Sequence, residues 1–174
     1  MQQQKWFDRK FDFDNSQNIF PSIMERLSGT PARLEEKISR IPPRLLTERA
    51  GDTWTIKENI GHLIDLEPLW QGRFADIQNG KDELRPTDLQ NTRTSQAGHN
   101  DTATDKLLSA FRNIRQQTLA SLEDIDEQTI FKSALHPRLK TPMRTHDLFL
   151  FVAEHDDHHL ARITQLLNIF NGQS

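Results

Sequence analysis

Apolar residues recur at three- and four-residue spacing in four stretches of the chain, the period of helices with one buried face. The first predicted helix runs from about Ile19 to Arg40, with Ile19, Phe20, Ile23, Met24 and Leu27 on one stripe and Leu34 and Ile38 resuming it. Gly29 and Pro31 are expected to bend or interrupt it. The second runs from about Ile56 to Gln78, where Thr55 and Glu58 have the spacing of a capping box. Ile56, Ile60, Leu63, Ile64, Trp70, Phe74 and Ile77 form its stripe. The third spans about Thr104 to Leu122, through Leu107, Phe111, Ile114 and Thr118. The fourth spans about Thr145 to Phe170, through Leu148, Val152, Ile163 and Leu166.

Between these segments lie turn-rich stretches at 42–53, 79–103 and 124–144, and an irregular arm at 1–18 carries Trp6, Phe7, Phe11 and Phe13 as packing anchors. No run of alternating strands competes. The pattern predicts an all-α fold, a four-helix bundle with long inter-helix loops, as one domain over 1–174. Two of the connections are long for a minimal up-down bundle, and ordered loops of that length often carry binding residues.

Composition narrows the chemistry. The chain has no cysteine, which removes disulfides, thiolate ligands and cysteine nucleophiles. The net charge is -3 with acids and bases interspersed, so no basic block marks a nucleic-acid binder, and nucleic acid is not an expected partner. No apolar run approaches the roughly 18–20 residues of a membrane span. The N-terminal residues are charged and aromatic, without the apolar core of a signal peptide, and the expected location is cytoplasmic.

The informative stretch is Glu154 to His159. At about 100° per residue, His155, Asp156 and His159 fall on the apolar face of the fourth helix. Glu154 and Asp157 point away, and His158 sits on the flank. Unpartnered polar groups on a buried face cost about 1–3 kcal/mol each. Two readings offset that cost: hydrogen bonds within the bundle, or a cation taken by two imidazoles one turn apart. His62 borders the stripe of the second helix and is a flank residue by periodicity alone. Glu67, nearer the middle of that stripe, is an acceptor for a ligand histidine, a fourth ligand, or an arginine partner, with Arg162 the arginine at hand. His136 lies in the loop before the last helix and is placed to reach the mouth of a site. His99 and His146 read as structural or exposed, and Trp54 and Trp70 as core or interface packing.

Trp54 to Leu63, which contains the His62-Leu63 pair, and Ala153 to Ile163, which contains His155-x-x-x-His159, together resemble the DinB/YfiT-like superfamily across nearly the whole chain. The resemblance implies a four-helix bundle, a homodimer, and a divalent metal on three histidines, which map onto His62, His155 and His159. Zinc or nickel is the implied ion, with manganese or iron as other fits. Members are described as metal-dependent hydrolases, and some relatives as thiol-dependent transferases or isomerases. Three imidazoles leave metal positions open to water or substrate. Asp156 is then a general base, since His155-Asp156-x-x-His159 shortens the zincin spacing, or a hydrogen-bond acceptor for a ligand histidine. The expected partner is a small molecule, with a low-molecular-weight thiol as one form. Two classes of function follow: an enzyme, a hydrolase or thiol transferase, and a non-catalytic stress-related protein that binds a metal or small ligand.

Overall fold

The computed structural model describes residues 3–11, 13 and 16–172. Four long helices dominate: α1 (Phe20–Ser39), α2 (Ile56–Gln78), α4 (Thr104–Leu122) and α6 (Thr145–Gly172). Their bounds agree with the apolar periodicity to within two residues at each end. Two five-residue helices, α3 (Thr92–Gln96) and α5 (Glu127–Phe131), lie in the connections. So does an antiparallel hairpin, β1 (Ser133–Leu135) with β2 (Pro142–Arg144), in the register Ser133–Arg144, Ala134–Met143 and Leu135–Pro142. Strands of three residues are too short to show a period, so the sequence reads them as loop. Among the described residues no helix is long and apolar enough to cross a membrane.

The local chemistry explains the helix ends. Thr55 accepts from the Glu58 backbone N–H at 3.1 Å, and the Glu58 carboxylate accepts from the Thr55 N–H at 2.7 Å, completing the capping box. α1, expected to bend or be interrupted at Gly29 and Pro31, is not interrupted and runs through both. Pro31 has no N–H to give the carbonyl four residues earlier, that of Leu27. Arg115 of α4 supplies the missing donor, its Nη1 lying 3.2 Å from the Leu27 oxygen.

Both α1 and α2 pack mainly on α4 and α6, so α1 and α2 stand at one pair of opposite corners of the bundle and α4 and α6 at the other. The α1–α2 and α4–α6 connections each cross a diagonal, while the connection at 79–103 joins the neighbours α2 and α4 and carries α3 and the turn at His99–Asp101 against α2. The two loops are tied together: the Leu84 N–H donates to the Leu135 carbonyl, and the Leu135 N–H to the Asp82 carbonyl, each at 2.9 Å.

The apolar core falls into two clusters. One is built around Phe20, Leu27, Phe74 and Phe149, the other around Leu34, Ile60, Phe111 and Ile163. A buried polar layer belongs to neither cluster. Arg115, 1% exposed, bonds Asp156 at 2.6 and 3.1 Å and Glu67 at 2.7 Å, besides Leu27. One guanidinium thereby joins all four long helices. Thr118 donates to the other Glu67 oxygen. Burial alone would lower the Arg115 pKa, but Asp156 and Glu67 outweigh it and hold the group charged. Burial raises Glu67 against the pull of Arg115.

Candidate metal centre

His62, His155 and His159 come together from α2 and α6, each offering a ring nitrogen within 4.8 Å of the others, and all three are buried. The i, i+4 spacing puts His155 and His159 on one face, with their Nε2 atoms 3.2 Å apart. His62, a flank residue by periodicity, is only 4% exposed because α3 and the turn at His99–Asp101 cover its side of α2.

Neighbouring groups decide which nitrogen of each ring is bare. The Asn59 amide donates to the Thr55 carbonyl at 2.7 Å, which turns its oxygen toward His159 Nδ1 at 2.8 Å. That oxygen can only accept, so Nδ1 carries the proton and Nε2 the lone pair. Thr94 does the same for His62: its hydroxyl gives its one proton to Asp65 at 2.9 Å and accepts from His62 Nδ1 at 3.1 Å. Asp65 is held in turn by His99 Nε2 at 2.8 Å and by Arg93 at 3.3 Å. His155 differs, since its Nδ1 is buried without a partner among the described residues. Its ring lies edge-on to Trp6 and Trp70, with centroids 5.0 and 5.9 Å away.

Burial keeps these imidazoles neutral. It pushes His62 down to about 4, against the opposing charge of Asp65, and holds His155 and His159 well below the ordinary range, with neighbouring imidazoles adding to the effect. Two neutral rings with facing Nε2 atoms need a proton or a cation between them. Two nitrogens on a tetrahedral zinc at Zn–N of about 2.0–2.1 Å lie about 3.3 Å apart, close to the 3.2 Å found. The donor set therefore fits a divalent ion.

The site opens into a cavity of about 390 Å³. Trp54 and Trp70, read from the sequence as packing alone, form part of its wall, with the Trp54 ring 4.6 Å from that of His62. Trp6 of the N-terminal arm closes another side, held by Gln3 on His158 and by an Arg9–Glu154 ion pair. His136 and His158 line the same cavity. His99 is buried against Asp65, and His146 is buried near the start of α6 beside Phe131.

Asp156 has neither contact expected of it. Both its oxygens face Arg115, it does not line the cavity, and among the described residues it forms no hydrogen bond to a ligand histidine. Glu67 takes the third of its expected roles, as an arginine partner, but the arginine is Arg115 and not Arg162, which bonds Gln165 instead. Sequence reading missed Arg115, Asn59 and Thr94. A signal for Arg115 existed: it lies among Phe111, Thr118 and Leu122 on α4, where the buried face turns onto it and leaves Ile114 half-buried.

A diagonal bundle of four long helices, with three buried histidines opening to an aromatic cavity, defines a histidine-centred helical-bundle class. The chain belongs to the DinB superfamily, whose model matches residues 26–163. Among solved structures it is similar to YfiT from Bacillus subtilis, described as a probable metal-dependent hydrolase with an unusual four-helix bundle topology. That match has a TM-score of 0.80 at 20% identity, over 94% of each chain. It is also similar to ClbS, a colibactin self-resistance protein solved in complex with double-stranded DNA, with a TM-score of 0.65 at 17% identity, over 88% of this chain and 98% of that one. No curated protein matches the chain.

The ClbS complex overturns the exclusion of nucleic acid as a partner. The exclusion rested on the lack of a basic run in the sequence. A fold can gather cations that sequence scatters, as Arg73, Arg138 and Arg162 gather around this cavity.

Proposed function

We propose that the protein is a metal-dependent hydrolase of small molecules, with a divalent ion held by His62, His155 and His159. The observation that carries this reading is the fixed tautomers of His62 and His159, whose Nδ1 protons are committed to Thr94 and Asn59, so that both direct a lone pair into one buried site beside His155. Bound there, zinc or nickel supplies a Lewis acid and a water of lowered pKa. The chain's own residues do the rest. Three neutral imidazoles would hold the ion and leave room for a further ligand from the adjoining cavity. Trp54, Trp70 and Phe151 give the substrate an apolar wall and keep bulk water from that side. Asp156 serves the bundle through Arg115, and no proton transfer is assigned to it.

Elemental analysis of the purified protein beside His62→Ala, His155→Ala and His159→Ala tests the reading. Stoichiometric metal in the parent and its loss in each variant is expected. Metal retained in all three variants refutes it. Turnover of esters or amides that disappears with chelator supports hydrolysis. Turnover only with an added thiol reassigns the reaction to thiol transfer, and no turnover by the loaded protein reassigns it to binding.

A further inference from the structure

Arg73 of α2 is a buried charged group in the cavity wall that the histidine site does not use. Its side chain is 2% exposed, yet Nη2 has no hydrogen-bond partner among the described residues. The guanidinium's hydrogen bond is from Nε to the Arg85 carbonyl, at 3.1 Å, which orients the group without balancing its charge. The carboxylate whose charge acts on it, Asp76, is committed elsewhere. Asp76 takes the Arg85 side chain at 2.9 Å from both Nε and Nη2, the Arg85 backbone N–H at 3.0 Å, and Lys81 at 3.2 Å. Gly72 makes that arrangement possible, since a Cβ there would meet Arg85 Nη1 at 2.1 Å. Burial lowers Arg73 to about 10 against the pull of Asp76, which still leaves it a cation at neutral pH. A buried cation with open donors and no facing carboxylate is costly unless an anion joins it.

His136 supplies a second donor. Its Nδ1 accepts from the backbone N–H groups of Arg138 and Leu139, each at 3.2 Å, so Nε2 carries the proton. His136 is neutral, pushed down to about 4 by burial and by Arg73 and Arg138. Of the arginines that line the cavity Arg138 is exposed and Arg162 half-buried, so the buried part of the wall offers the single positive charge of Arg73, which suits a monoanion. Trp70 links this wall to the histidines: the Arg73 guanidinium lies 5.6 Å from its ring centroid, and the His155 ring lies 5.9 Å from it.

We propose that Arg73, with His136 beside it, forms an anion-binding subsite, and that the small molecule taken into the cavity carries a carboxylate. That this molecule is the substrate rests on the metal reading. That a carboxylate binds at Arg73 does not.

The test uses phenylacetate, its neutral amide and inorganic phosphate at constant ionic strength. Binding is read by thermal shift of the full chain and by tryptophan fluorescence, because all three tryptophans line the cavity. Phenylacetate is expected to bind at least about tenfold more tightly than the amide, the scale of one charge-assisted pair. Arg73→Met removes that difference without lowering the midpoint of the unliganded protein, and Arg73→Lys keeps part of it. If Arg73→Met does not fold, Arg73 is structural and the proposal falls, unless Arg73→Lys and His136→Phe each fold and weaken phenylacetate selectively. Equal binding of acid and amide, phosphate binding in place of phenylacetate, or an unchanged preference in Arg73→Met overturns it. His155→Ala is expected to lose metal and keep the phenylacetate preference, so failure of the metal reading and failure of this one appear in different measurements.

Discussion

Thr94 accepts the Nδ1 proton of His62 and hands its own proton to Asp65, so a loop residue sets the ring orientation of a histidine on α2. Thr94→Val keeps the shape and removes both bonds. Loss of such an outer hydrogen bond typically costs 10–100-fold in metal affinity. A competition titration against a chelator is expected to show a loss in that range, and so is Asn59→Leu, which frees His159 Nδ1. Unchanged affinity in both variants would show that the tautomers do not matter.

Gly61 is predicted to be irreplaceable by alanine. Alanine is favoured over glycine in a helix interior by about 1 kcal/mol. A Cβ at this position, however, meets the His99 ring at 2.2 Å. The ring cannot move off without breaking its bond to Asp65, the group that also holds Thr94. Gly61→Ala should therefore lower both the denaturation midpoint and the metal affinity. A gain in midpoint would mean that the loop carrying His99 yields freely.

Arg115 compensates two buried carboxylates at once. Arg115→Met leaves Glu67 and Asp156 buried without a counter-charge, and breaking a buried pair costs about 3–5 kcal/mol. Denaturant titration should show a loss of that size or failure to fold. The double replacement Arg115→Met with Asp156→Leu should recover part of it, because the unpaired charge, and not the missing contact, dominates the cost.

His136 gives a pH dependence of known sign. Its pKa in the fold is about 4, against about 6.5 for an unfolded histidine. The unfolded chain thus binds the proton more readily. The contribution of neutral His136 is complete above about pH 6.5 and is lost as pH falls toward about 4. Urea midpoints across that window should fall less steeply for His136→Gln than for the parent protein. Parallel curves would refute the assignment.

Paramagnetic nickel or copper should quench the intrinsic fluorescence, given that the Trp54 ring centroid is 4.6 Å from that of His62 and the Trp6 ring centroid 5.0 Å from that of His155. Saturation at one equivalent, abolished in His155→Ala, is the expected result. Quenching that continues linearly past one equivalent would indicate only collisional contact at the surface.

What could be read from the chain and what could not divide along sequence distance. The long helices announce themselves through local period, and the Thr55–Glu58 cap through a spacing of three. The pair His155 and His159 stands out because two polar rings occupy an apolar face. His62 does not, because its burial depends on a loop about 30 residues further along, around Thr94 and His99. Arg115 was hidden for the same reason: its partners Leu27, Glu67 and Asp156 lie on three other helices, and a single arginine on an apolar stripe also suits a side chain that reaches out to solvent. The hairpin and the short helices are too brief to carry a period.

The shared guanidinium also works as a gauge for the bundle. Glu67 lies five residues after His62, and Asp156 directly follows His155, so Arg115 grips α2 and α6 close to where each carries its histidine. A slip of one residue between those helices, about 1.5 Å along the axis, would strain the carboxylate pairs of Arg115 and the grouping of the imidazoles together. The arginine that ties α2 to α6 thus sits near the level of the rings, and its charge adds to what keeps His155 neutral.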